Sequence, residues 1–155
     1  MDTKLKADIA ELAVTQELLR RGFKVLKPIG DRLAYDLAVD VGEKLIRLQV
    51  KAAWFNEKKK MYLVDNRRTR TNRRFMKRMR YSREDFDYAI LVNLETKAFY
   101  VMPVEIFISY ASSIAIVDGK TRQRRPKSSM YKDRWDLLTL RPAENSVPFS
   151  AIQRL

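Results

Sequence analysis

Residues 33–54 alternate apolar and polar side chains on both sides of Val41-Gly42-Glu43, and no other stretch restricts the fold as tightly. Leu33, Tyr35, Leu37 and Val39 alternate with Ala34, Asp36, Ala38 and Asp40. A period of two is that of a strand, and it puts Asp36 on the less apolar face. Beyond the turn, Lys44 to Trp54 repeats the pattern. Ile46, Leu48, Val50, Ala52 and Trp54 share one face, and Arg47, Gln49 and Lys51 share the other. A hairpin built from these two strands brings Asp36 beside the triplet Gln49-Val50-Lys51.

The flanking sequence supplies helices and further strands. Lys4 to Arg21 reads as an amphipathic helix with Leu5, Ile9, Leu12 and Leu19 on its apolar face, ended by Gly22. Phe23–Leu26, Met61–Val64, Phe86–Leu94, Ala98–Met102 and Ser112–Val117 read as strands. Pro103 suits the first turn of a helix running to about Tyr110. The end of the 67–80 segment reads as helical, with Phe75, Met76 and Met79 as anchors. An apolar patch at Trp135, Leu137, Leu138 and Leu140 suits either core or an interface, as does the segment 103–110. There is no repeat or long linker, so a single α/β domain over residues 1–155 is expected.

Composition narrows the chemistry. The chain has 155 residues, no cysteine and no histidine. Disulfides, thiolate metal sites, histidine-based triads and histidine zinc sites are therefore excluded. Neutral-pH catalysis would fall to carboxylates, lysine, tyrosine and a cation that prefers oxygen ligands. No apolar run is long enough to cross a bilayer, and the first residues lack a signal-peptide core, so a cytoplasmic protein is expected. The net charge of +13 is concentrated: residues 67–80 carry eight basic residues and residues 120–127 carry five, neither run containing an acid. These runs match the whole excess and form the footprint of a polyanion-binding surface.

Phosphodiester cleavage needs oxygen ligands for a hard cation, negative charge beside it, and a positive group near the attacking water or scissile phosphate. Asp36 offers a carboxylate, Gln49 an amide carbonyl, Val50 a backbone carbonyl and Lys51 the positive partner. The same residues have plainer roles open to them. Asp36 suits an ion pair with Arg47 or Lys51, and Gln49 and Lys51 suit a solvated strand face.

Asp36 followed by Gln49-x-Lys51 resembles the D-(x)n-(D/E/Q)-x-K core of PD-(D/E)-x-K nucleases, and the likeness runs from Lys4 to Leu94. Tyr35 stands where the family name has proline, and Gln49 replaces the usual second acid. The resemblance implies a restriction-endonuclease-like αβββαβ core, with a mixed central sheet flanked by helices. It also implies that a glutamate of the first helix, here Glu11, joins Asp36, Gln49 and Val50 at the metal. Glu11 is otherwise suited to a surface ion pair, and Glu17 and Asp40 are secondary candidate ligands. Within the superfamily, the intron-encoded homing endonucleases are the nearest likeness, and archaeal-type Holliday junction resolvases share the layout. The implied activity is Mg2+-dependent, sequence-specific hydrolysis of double-stranded DNA, with Mn2+ as a substitute metal. A junction resolvase and a non-catalytic basic nucleic-acid-binding protein are the alternatives.

Candidate DNA contacts are Arg67, Arg68, Arg70, Arg73, Arg74, Lys77, Arg78 and Arg80, then Lys120, Arg122, Arg124, Arg125 and Lys127, with Asn66 and Asn72 as possible adenine readers. Cutting both strands with one site per chain requires at least a dimer. The homing relatives imply a homotetramer.

Overall fold

A computed structural model describes residues 1–71, 74, 76–117 and 126–139. Helix α1 spans Thr3–Arg20, with Asp2 accepting from the Lys4 backbone N–H as its N-cap. It ends where Gly22 takes a positive φ of 83°, a backbone shape that other residues adopt at a cost. Strands β1 (Lys24–Leu26), β2 (Leu37–Asp40) and β3 (Leu45–Ala52) follow. Gly42, with φ of 100°, makes the turn between β2 and β3, and its N–H donates to Asp40 Oδ1.

The chain then leaves the central sheet to form β4 (Trp54–Asn56), β5 (Met61–Asp65), β6 (Arg67–Thr71) and β7 (Met76–Arg80). It returns as β8 (Tyr88–Asn93) and β9 (Ala98–Pro103), then α2 (Val104–Ser109) and β10 (Ser113–Ile116). The central sheet has the order β1-β2-β3-β8-β9. Only the β3–β8 pair is parallel, so the sheet is mixed. Strands β10, β5 and β4 form a second sheet, and β6 and β7 form a separate two-stranded ribbon. Parallel neighbours need a long crossover. Among the described residues this crossover, between β3 and β8, is made of strands, whereas the αβββαβ pattern places a helix there. Arg67–Thr71 and Met76–Arg80 accordingly pair as strands, and the end of the segment is not helical.

Two cores cover the two faces of the central sheet. On one face Ala10, Val14 and Leu18 of α1 meet Ile46, Leu48 and Val50 of β3, with Trp135 and Leu138 closing the side. On the other, Phe107 of α2 packs with Tyr81, Phe86, Ala89 and Leu91. Trp135 and the segment around α2 thus serve as core.

The buried face of α1 is not the one its leucines suggest. Leu5, Leu12 and Leu19 are 51%, 68% and 57% exposed, while Ala10, Val14 and Leu18 are fully buried. The sheet surface lies close beneath the helix and accepts Ala10 and Val14, so the smaller residues face inward. Read as one strand, Lys44–Trp54 is likewise two, for Trp54 has crossed into the second sheet and is partly exposed.

These packing assignments predict different costs for two leucines of one helix. Leu18→Ala should lower unfolding free energy by roughly 2–4 kcal/mol, and Leu12→Ala by about 0.5 kcal/mol or less, as read from urea denaturation.

Candidate active site

The site forms where β2 leaves β3. Leu37 is the first residue of β2 and lies opposite Leu48, so the edge of β3 from Gln49 onward has no β2 partner. Asp36 sits at this fork. Its backbone N–H still donates to Leu48 O at 2.9 Å. Its side chain then takes over from the missing strand: Asp36 Oδ2 accepts from the Val50 backbone N–H at 2.7 Å and from Gln49 Nε2 at 2.6 Å. The buried strand edge is satisfied by a carboxylate, and a notch opens in the sheet.

Residues from both faces of the sheet reach this notch. Asp8, Glu11, Lys27, Asp36, Gln49, Lys51, Arg68, Lys77 and Tyr81 line one cleft, together with the 30–35 loop. The structure thus brings Glu11, Asp36, Gln49 and Lys51 together. Glu11 Oε2 accepts from Lys27 Nζ at 2.9 Å, which leaves its other oxygen available. Lys51 Nζ donates to Arg67 O at 3.0 Å and lies 5.0 Å from the centre of the Tyr81 ring. The Val50 carbonyl accepts from Gln49 Nε2 at 3.3 Å.

The plainer pairings of Asp36 do not occur: Arg47 instead holds Asp87, with Arg47 NH2 3.1 Å from Asp87 Oδ1. Glu17 is paired with Arg20 and Arg21, and Asp40 serves the β2–β3 turn. Neither lines the cleft.

Burial sets the protonation chemistry. Removal from water pushes the Asp36 carboxyl up to about 6, against the Val50 hydrogen bond that favours its charged form. Burial also lowers Lys51, while the charge of Asp36 opposes that shift. Lys27 is raised by its hydrogen bond to Glu11.

Among the described residues no group of three His, Cys, Asp or Glu side chains could hold a metal ion. The donors at the notch include the Glu11 and Asp36 carboxylates, the Gln49 amide oxygen and the Val50 carbonyl. An all-oxygen set of this kind fits a hard divalent cation that keeps some of its water. Gln49 also explains itself here. A second carboxylate at 2.6 Å from Asp36 would repel it in a partly buried notch, whereas the amide donates to it.

A model of the PD-(D/E)XK endonuclease family matches residues 1–138. The chain belongs to this family. Among solved structures it is similar to the bacterial homing endonuclease I-Ssp6803I, with 50% sequence identity and a TM-score of 0.82. That likeness covers 90% of this chain and 94% of the other. No curated protein sequence matches significantly. The chain is therefore a nuclease of PD-(D/E)XK type, and such nucleases act on DNA. No helix among the described residues is long and apolar enough to cross a membrane.

The proposed DNA contacts divide. Arg68 and Lys77 line the cleft, and Arg74, Arg78 and Arg80 are exposed on the ribbon, with Arg78 4.0 Å from Asp65. Arg67 is half-buried and donates to Ala111 O at 3.3 Å. Lys127 is exposed at the start of a 3-10 turn. The backbone of Arg70 lies in β6. Arg73, Lys120, Arg122, Arg124, Arg125, Asn72 and Leu140 lie outside the described residues. Asn66 is a correction: it is buried, and its Nδ2 donates to the carbonyls of Phe107 and Tyr110, so it cannot read a base. Sequence reasoning missed Asp8, Lys27 and Tyr81 in the cleft. None of them carries a local signal, because their place depends on long-range folding.

Asp36 ionises against its surroundings, so its share of stability is present below pH 3.8 and lost as pH rises through about 6. In chelator, Asp36→Asn should melt higher than wild type at pH 8 by about 5 °C, a gain on the order of 2 kcal/mol. The difference should vanish near pH 4. Gln49→Glu should do the reverse at pH 8, lowering the metal-free melting temperature while increasing the upshift produced by added Mn2+.

Proposed function

We propose that this protein is a Mg2+-dependent homing endonuclease that hydrolyses phosphodiester bonds in a specific double-stranded DNA target. The observation that carries this reading is the convergence of Glu11, Asp36, Gln49 and Lys51 on one cleft walled by the basic ribbon. Similarity to a homing endonuclease at 50% identity supports it.

The ribbon supplies the grip. Arg67 and Arg80 are directly opposite in the β6–β7 register. Like charges across a strand pair repel, and a phosphate backbone relieves that repulsion while releasing counterions. Two-stranded ribbons fit the major groove, where arginine can read guanine edges. Exposed Arg74, Arg78 and Arg80 are suited to that task, and Arg68 and Lys77 to the strand entering the cleft.

Asp36, Glu11, the Gln49 amide oxygen and the Val50 carbonyl would hold the divalent cation. When bound, it polarises the scissile phosphate and lowers the energy needed to ionise the attacking water. Asp36 must be ionised for this role, so the cation competes with a proton there. Lys51, held as an ammonium at the cleft wall, stabilises the negative charge that develops on the phosphoryl oxygens. Lys27 pairs with Glu11 and holds it at the cleft. Because the described residues form one such site, cutting both strands calls for at least two copies, and a homotetramer would supply them.

A plasmid or a random duplex library incubated with the protein tests the reading. Strand breakage should require Mg2+ and leave cut ends of defined sequence. Lys51→Ala should reduce cleavage at least a thousandfold while changing DNA affinity less than about threefold. Cleavage at fixed Mg2+ should fall below pH 6 as Asp36 takes up its proton. Metal-independent binding without breakage would leave only a basic DNA-binding protein.

A further inference from the structure

The β6–β7 ribbon begins and ends on Lys51. At its first residue the Arg67 carbonyl accepts from Lys51 Nζ at 3.0 Å. One residue beyond its last, the Tyr81 ring presents its face to the same nitrogen at 5.0 Å. Arg67 and Arg80 are cross-strand partners, so the two roots of the ribbon close around one ammonium.

Tyr81 is not free to choose another position. It is 7% exposed, and its ring meets Phe86 edge-on at 5.2 Å and Phe107 at 5.9 Å. The aromatic core beside α2 therefore fixes the plane of the ring. Lysine has a flexible four-carbon stem and three donors. A ring face attracts the ammonium without accepting its proton, and burial strengthens that attraction. With one donor on the Arg67 carbonyl, the other donors remain for the cleft.

We propose that Tyr81 is a positioning residue for Lys51: its ring face, with the Arg67 carbonyl, sets the ammonium at the cleft wall and ties it to the seat of the ribbon on DNA. This rests on the assignment of Lys51 to catalysis. It adds that the groove-reading element and the reacting lysine share one joint. Ribbon engagement and chemistry are thereby linked through Tyr81.

The test compares position-81 variants with Lys51→Ala on a duplex recovered by cleavage selection. Single-turnover rates at saturating protein are read beside DNA affinity in Ca2+. Tyr81→Phe keeps the ring face and should cleave within twofold of wild type. Tyr81→Leu should lose tenfold or more in rate with affinity changed less than twofold. A trifluorinated phenylalanine at position 81 keeps the shape, weakens the negative ring face, and should fall between them. It also serves if the leucine variant does not fold. In NMR spectra, the upfield shift that the ring imposes on the Lys51 ε-methylene protons should disappear in Tyr81→Leu.

Wild-type rates in both the leucine and the trifluorinated variants, with Lys51→Ala inactive, would overturn the proposal alone. A parallel loss of rate and affinity would overturn it too, by showing that Tyr81 only supports the ribbon. Full activity in Lys51→Ala would instead remove the catalytic assignment on which it stands.

Discussion

The carboxylate of Asp36 does the work of a neighbouring strand. An antiparallel hairpin normally satisfies each inward N–H with a backbone carbonyl. Where β2 turns away, the Val50 N–H would be left without a partner, and Asp36 Oδ2 takes it at 2.7 Å. One side chain thus permits the sheet to split. The split is what allows Glu11, from the helix-covered face, and Lys51, from the opposite face, to meet across a single gap. A fully paired sheet would keep them apart.

That arrangement has an electrostatic cost, visible in the opposite shifts of its two central groups. Asp36 is harder to ionise than a solvated carboxyl, and Lys51 loses its proton more readily than a solvated lysine. Both shifts have burial as their leading cause, and each charge partly offsets the other's. A site in which water no longer stabilises the charges responds strongly to an arriving cation or phosphate. The Gln49 amide keeps this balance tolerable before anything binds, by adding a donor where an acid would add repulsion.

Much of this was legible in the sequence, and what was hidden shares a physical origin. The alternation beyond Gly42 put Gln49 and Lys51 on one face of β3. The alternation before it overran the strand: β2 begins at Leu37, Asp36 lies just outside it, Leu33 is half exposed, and Tyr35 packs in the opposite core from Leu37. The burial of α1 was misread because Leu5, Leu12 and Leu19 outweigh Ala10 and Val14 in hydrophobicity. Close approach to the sheet favours small side chains, a constraint that no helix carries within itself. The end of the 67–80 segment read as helical because strand pairing between two charged arms leaves no apolar alternation. Lys27 and Tyr81 join the cleft only through the way distant segments fold together. Asn66 looked like a surface amide, whereas it ties the end of α2 to the second sheet.

The crossover between β3 and β8 contributes to the framework and carries a basic arm beyond it. Its roots are fixed: Ala53 N–H donates to Val92 O, and Tyr81 is locked among aromatic rings. Between those anchors the β6–β7 arm pairs with neither of the other sheets. A substitution on its exposed strand positions therefore disturbs neither of the other two sheets. The arm thus hangs from the fold by its two ends, and strain placed along it is not passed into either ladder.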